Sequence, residues 1–133
     1  MICHREQITS AGTKFSAVLV MSISPTLAVD ATGTICMWSR QAEDLLGYSR
    51  AEAMGQSIEI IIPQHLRARH WSGFGRYVQT GTSMLPEVVT SPAIHKTGKP
   101  LKLEISVKAV YGDGQKIVAV EAFMRAAGDE EAR

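Results

Sequence analysis

Leu66, His70, Phe74 and Tyr77 step by four, four and three along the chain, which places an imidazole on the apolar stripe of a helix. His65, Arg69, Ser72 and Arg76 fall on the other side. An apolar stripe faces the core, so the spacing aims His70 at whatever the helix covers. An imidazole in such a place is a neutral nitrogen donor shielded from water. With a flat hydrophobic slot around it, that is what axial ligation of iron needs. The same placement suits a hydrogen-bonded core histidine, and the spacing leaves both readings open.

The other reactive side chains assemble into no recognisable machinery. Glu43 and Asp44 have no identifiable acid or base to work with, and no P-loop, dinucleotide glycine pattern or nucleophile elbow occurs. A non-enzymatic protein is therefore expected. Trp38 and Trp71 can line a ligand slot or serve as ordinary core and interface rings. Arg67, Arg69 and Arg76 give the long helix a basic face suited to a surface or anion contact. His95 stands at a hairpin end and is expected to be solvated, and Glu121 is expected to be exposed.

Bulk properties narrow the class further. The chain has 133 residues, enough for one domain with a single core, and its 14 basic residues nearly balance 13 acidic ones. That balance gives no electrostatic footprint for nucleic acid or an anionic membrane. The two cysteines, Cys3 and Cys36, lack C-x-x-C spacing and make no disulfide framework, so Cys36 is read as a core thiol in a reducing cytoplasm. The run Phe15–Ser24 is apolar but too short for a membrane span and is interrupted by serines. Cleavage after it as a leader would remove the first strand of the fold.

These residues need elements to hold them. Residues 1–24 read as a polar tail followed by a flanking helix or strand, 25–125 as the domain, and 126–133 as a disordered tail. Thr26–Asp30 and Thr34–Trp38 form a hairpin across Ala31-Thr-Gly33. Ala42, Leu45 and Leu46 mark one face of a short helix that Gly47 stops. Ser49 and Glu52 have the spacing of a capping box. Pro63 opens the longest helix, running to about Tyr77, with Gly73 and Gly75 as weak points. Strands follow over about 85–94, 100–110 and 116–124, joined by Lys96-Thr-Gly-Lys99 and Gly112-Asp-Gly-Gln115. Leu101, Leu103, Ile105 and Val107 alternate with polar residues, giving the middle strand one buried face. This order predicts an α+β fold, a five-stranded antiparallel sheet with helices packed on one face.

The block Asp30-Ala-Thr-Gly-Thr-Ile-Cys-Met-Trp-Ser-Arg-Gln-Ala-Glu-Asp-Leu-Leu-Gly-Tyr-Ser49 resembles the opening of a PAS domain, whose pattern is close to D-x-x-G-x-I-x-x-W-N-x-x-A-E-x-L-x-G-Y-S. Ser39 departs from it, standing where the family usually has asparagine. The resemblance implies the PAS fold over about 25–125 and a sensory, dimerising role. It also implies that the flanking element, Phe15 to Ile23, contributes to a homodimer contact. The family's usual closing signature is altered, since Ala126-Ala-Gly128 follows Arg125. Effector partners, a histidine kinase or a transcriptional regulator, would then act in trans.

Within the long helix, Arg67-Ala-Arg69-His70 with Arg76-Tyr77 is similar to the haem-binding PAS domains of rhizobial oxygen-sensing kinases. By that resemblance His70 is the proximal haem ligand and Arg76 a propionate partner. The arginine those sensors place on the following strand is replaced here by Val88, Val89 and Thr90, so Thr90 would offer a weak hydroxyl donor and Met84 a sixth ligand. The flavin-adduct cysteine motif of light-sensing PAS domains does not match at Pro63-Gln-His-Leu66, which disfavours flavin. A cavity lined by His70, Phe74, Tyr77, Trp38, Ile105 and Val107 is expected to take a small ligand or cofactor. Haem is one alternative, and a ligand-free dimerisation domain is another.

Overall fold

Asp30 builds the first turn with its own side chain. Its Oδ1 accepts hydrogen bonds from the backbone N–H groups of Thr32 (2.9 Å) and Thr34 (3.1 Å) and from the Thr32 hydroxyl (2.6 Å). Burial raises the carboxyl, but these donors outweigh it and hold Asp30 below the ordinary value. The chain therefore reverses between β1 (Leu27–Asp30) and β2 (Ile35–Trp38), which pair antiparallel. The computed structural model describes residues 24–82 and 87–127.

Ser39 then starts α1 (Arg40–Leu46) with two bonds of one hydroxyl. Oγ accepts from Ala42 N–H at 3.1 Å and donates to the Thr26 carbonyl at 2.7 Å. It thus does the capping expected of asparagine at this position and also ties the helix to the start of β1. Gly47 ends the helix at φ +88°, and the ring of His95 lies directly on it: an added Cβ would meet Cε1 at 2.4 Å. His95 is thus half-buried, its Nδ1 paired with the Thr97 hydroxyl at 3.0 Å, in contrast to the solvated histidine expected. A complete capping box at Ser49 and Glu52 opens α2 (Arg50–Ala53). A short 3₁₀ segment, Ile58–Ile61, is capped by Ser57.

A second 3₁₀ turn, Gln64–Leu66, leads into α3 (Arg67–Thr80), which runs three residues past the expected end and stops at Gly81. Gly73 and Gly75 do not break it. Both are exposed, and nothing lies within 4 Å of a Cβ built at either.

Three strands complete the sheet: β3 (Val89–Ile94), β4 (Pro100–Tyr111) and β5 (Ile117–Ala126). The order is β2-β1-β5-β4-β3, antiparallel throughout, as expected for the fold class. β5 reaches Ala126, opposite Leu103, and Ala127 N–H bonds to the Lys102 carbonyl at 2.9 Å. The start expected for β3, the loop residue Met84 before it, and the end of the C-terminal tail lie outside the described residues.

Leu27, Val29, Leu103, Val120, Ala122 and Met124 from the strands meet Ala42, Leu46, Ile58 and Ile61 in one core. Complete burial of a side chain such as Leu27 or Leu46 stabilises by about 1.5–3 kcal/mol. The opposite face of the sheet is not open either. Ala28, Val110, Ala119 and Glu121 are all buried there. Glu121, 3 % exposed, corrects the expectation of an exposed carboxylate. It stands in the central strand, opposite Ala28 on one side and Lys108 on the other. Cys36 also departs from the core position expected, being only half-buried on β2. No helix among the described residues is long and apolar enough to cross a membrane.

Candidate functional site around His70

The inward face of α3 carries His70, Trp71, Phe74, Tyr77 and Val78, all part-buried, while Arg69, Ser72 and Arg76 are exposed. Three rings form a cluster at its N-terminal half. His70 stacks on Phe74, with centroids 5.8 Å apart and planes 21° apart. Trp71 meets both edge-on, at 4.7 Å from His70 and 5.5 Å from Phe74.

Trp71 is fixed from two further sides. Its ring lies on the backbone of Gly33, where φ is +88° and a Cβ would come within 2.4 Å of the indole. Its Nε1–H donates to the Glu59 carboxylate in a short hydrogen bond. Glu59 in turn is held by the 3₁₀ segment, with its own N–H bonded to Ser57 Oγ at 3.1 Å.

His70 Nδ1 is buried without a hydrogen-bond partner. Desolvation depresses the imidazole below its ordinary value, opposed in part by the negative charge of Glu59. The ring is thus a neutral donor at neutral pH. With Nδ1 sealed, Nε2 is the nitrogen left to meet a ligand.

Across from the helix, Ile105, Val107 and Ala109 share the helix-facing side of β4, since Val107 pairs with core residue Ala122. Ile105 and Ala109 pack on the core, yet Val107 remains 45 % exposed. The helices therefore leave an apolar part of the sheet uncovered. Tyr77 lies lower on the same helix face. Burial raises its phenol above the ordinary value, nearby Tyr111 adds to this, and a hydrogen bond from the Ala109 backbone opposes it.

The remaining expected site residues lie elsewhere. Trp38 is 3 % exposed in the core, donating Nε1–H to the Tyr48 carbonyl at 2.9 Å, and its ring partner is Tyr48. Thr90 is exposed opposite Glu104, on the face away from core residue Ala93. Arg76 is exposed on the outer side of α3, forming no ion pair among the described residues. Glu59 was not anticipated from the sequence. The signal available was a single carboxylate inside the apolar run Ile58–Ile62.

A separate open cavity of about 490 Å³ sits at the C-terminal end of α3, bounded by Val78, Thr80, Tyr111, Gln115 and Ile117. It does not include His70 or Val107. Among the described residues no group of three or more His, Cys, Asp or Glu side chains could hold a metal ion. A haem, which the sequence resemblance implies, asks instead for one neutral imidazole beside an apolar floor. The orphaned Nδ1 and lowered basicity of His70 fit the imidazole, and Val107 offers exposed apolar surface on the helix-facing side of β4.

Comparison with known proteins agrees with the architecture. The PAS fold family matches residues 13–126. The chain belongs to the PAS family, a class of sensory signalling modules that are generally not catalytic. It is 30 % identical over 115 residues to an uncharacterized protein of Azorhizobium caulinodans and 34 % identical over 82 residues to the sensor protein FixL of Bradyrhizobium diazoefficiens. These matches take in 85 % and 59 % of this chain but only 15 % and 16 % of the respective relatives. Among solved structures, the PAS domain of a Colwellia psychrerythraea protein superposes with a TM-score of 0.64 at 23 % identity, over 76 % of this chain and 85 % of that one.

Proposed function

We propose that this PAS domain senses a small ligand that seats on the uncovered helix side of β4, beside His70. The observation that carries the reading is His70 itself, a neutral imidazole on the inward face of α3 with one nitrogen sealed and unpartnered. A ligand engaging this ring favours one packing of α3 against the sheet and so one arrangement with a second copy of the chain. A histidine kinase or transcriptional regulator would read that arrangement.

Haem is the second reading, favoured by the fit of His70 and by the similarity to the sensor protein FixL. His70 would hold it through Nε2. Val107 and Ile105 would give it an apolar floor, and Phe74 would hold the imidazole plane. Bound there, haem would supply a redox-active iron that takes up a diatomic gas.

The test is the visible spectrum of protein purified from haem-supplemented cells, oxidised and then reduced. A Soret band that disappears in His70→Ala supports haem. A colourless protein that also refuses added haemin rejects it. Native mass spectrometry of the same sample then separates another bound ligand from a ligand-free dimerisation domain.

A further inference from the structure

We infer that Glu59 is the positioning carboxylate of the His70 site, the group that accepts a hydrogen bond from His70 Nδ1–H when a ligand engages Nε2. The inference rests on the haem reading and adds to it a regulatory contact made by this chain's own residues.

The argument starts from a proton. Neutral imidazole carries one N–H, and ligation at Nε2 places it on Nδ1. That atom is buried and has no acceptor in the structure. A buried donor left unpaired loses its water without gaining a partner, so the ligated state needs an acceptor nearby. The Glu59 carboxylate already accepts a hydrogen bond from the indole of the next residue, Trp71. Its charge already reaches His70.

The backbone of Glu59 and the ring of Trp71 are both held in place. Ser57 Oγ holds the Glu59 N–H, and the Ile62 N–H bonds to the Glu59 carbonyl at 2.9 Å, so its backbone is tied at both ends. Trp71 is pinned on Gly33 and against Phe74. A carboxylate has two oxygens. Rotation of the Glu59 side chain lets one oxygen keep Trp71 Nε1–H and the other take His70 Nδ1–H. This bridge would fix the ring orientation and strengthen Nε2 as a donor, as a carboxylate behind a ligating histidine does. It also ties ligand binding on α3 to the 3₁₀ segment that carries Glu59.

The experiment compares wild type, Glu59→Gln, Trp71→Phe and the His70→Ala control, each titrated with haemin and then reduced for resonance Raman spectroscopy. Glu59→Gln is expected to weaken haem binding roughly 10- to 100-fold and to lower the iron–histidine stretching frequency. Trp71→Phe, which leaves the carboxylate in place, is expected to keep the wild-type frequency. An unchanged frequency in Glu59→Gln overturns the inference while the haem reading stands. Should Glu59→Gln not fold, the wild-type frequency decides. A value typical of a carboxylate-bonded imidazole supports the bridge, and one typical of an unbonded or carbonyl-bonded ring overturns it. A wild-type chain that takes up no haem overturns both readings, and His70→Ala that still binds overturns the ligand assignment.

Discussion

The indole of Trp71 rests on the backbone of Gly33, so the first turn of the sheet and the site helix touch where only glycine leaves room. Gly33 also bonds through its carbonyl to Ile58 N–H at 2.9 Å, and the Glu59 side chain then takes the indole N–H. Turn, 3₁₀ segment and helix thus meet at one ring, the one set edge-on to His70.

Gly33→Ala is accordingly expected to destabilise strongly. A Cβ would sit 2.4 Å from Trp71 and the residue would keep φ +88°. Overpacking and left-handed strain together cost about 2–5 kcal/mol, to be read as a lower midpoint in urea unfolding. Trp71→Ala in the same background should recover part of the loss, because it removes the clash and leaves the strain. If the two substitutions add without coupling, the contact is not as described.

Stability should fall on mild acidification. Desolvation holds His70 below its ordinary value of 6.5, so the unfolded chain binds the proton first. The stabilising contribution is full above pH 6.5, declines as the pH drops below it and is gone once the folded group is also protonated. Unfolding free energies measured from pH 8 to pH 4 should show this decline, and His70→Phe should flatten it.

Tyr77 gives the opposite sign at the alkaline end. Its phenol is raised above 10.0, mainly by burial, so its contribution is full below pH 10 and is lost as the pH rises further. Ultraviolet titration at the phenolate band should reveal one late-titrating tyrosine that Tyr77→Phe removes.

Ser39→Ala should cost about 1–2 kcal/mol, as expected when a helix N-cap is lost, with the bond to Thr26 removed at the same time. Ser39→Asn, the residue usual in the family, should restore the cap. Thermal unfolding of the three proteins would measure the difference.

Much of the architecture was legible because it is written in local rules. The capping box at Ser49 and Glu52, the stop at Gly47, the turns before β2, β4 and β5, and the alternation along Leu101–Ile105 each depend on neighbours in sequence, whereas Val107, expected on the same buried face, is exposed. Helical spacing likewise put His70 and Phe74 on one face before any contact was known. Where local rules erred, a long-range contact was the cause. Glu121 looked like a strand-end carboxylate, yet its strand is the centre of the sheet. His95 looked like a solvated turn residue, yet the turn folds back onto Gly47.

By itself the sequence determined the α+β order of elements and the inward stripe of α3 that carries His70, because periodicity and capping act within a few residues, and the Asp30–Ser49 motif marked the PAS family. Only the tertiary structure decided what surrounds that imidazole. It buried Trp38 with its indole N–H on the Tyr48 carbonyl, turned Thr90 and Arg76 outward, left Val107 uncovered and brought Glu59 to Trp71. Those relations join segments far apart in the chain, and side-chain packing across the sheet fixes them rather than any local preference of the residues involved.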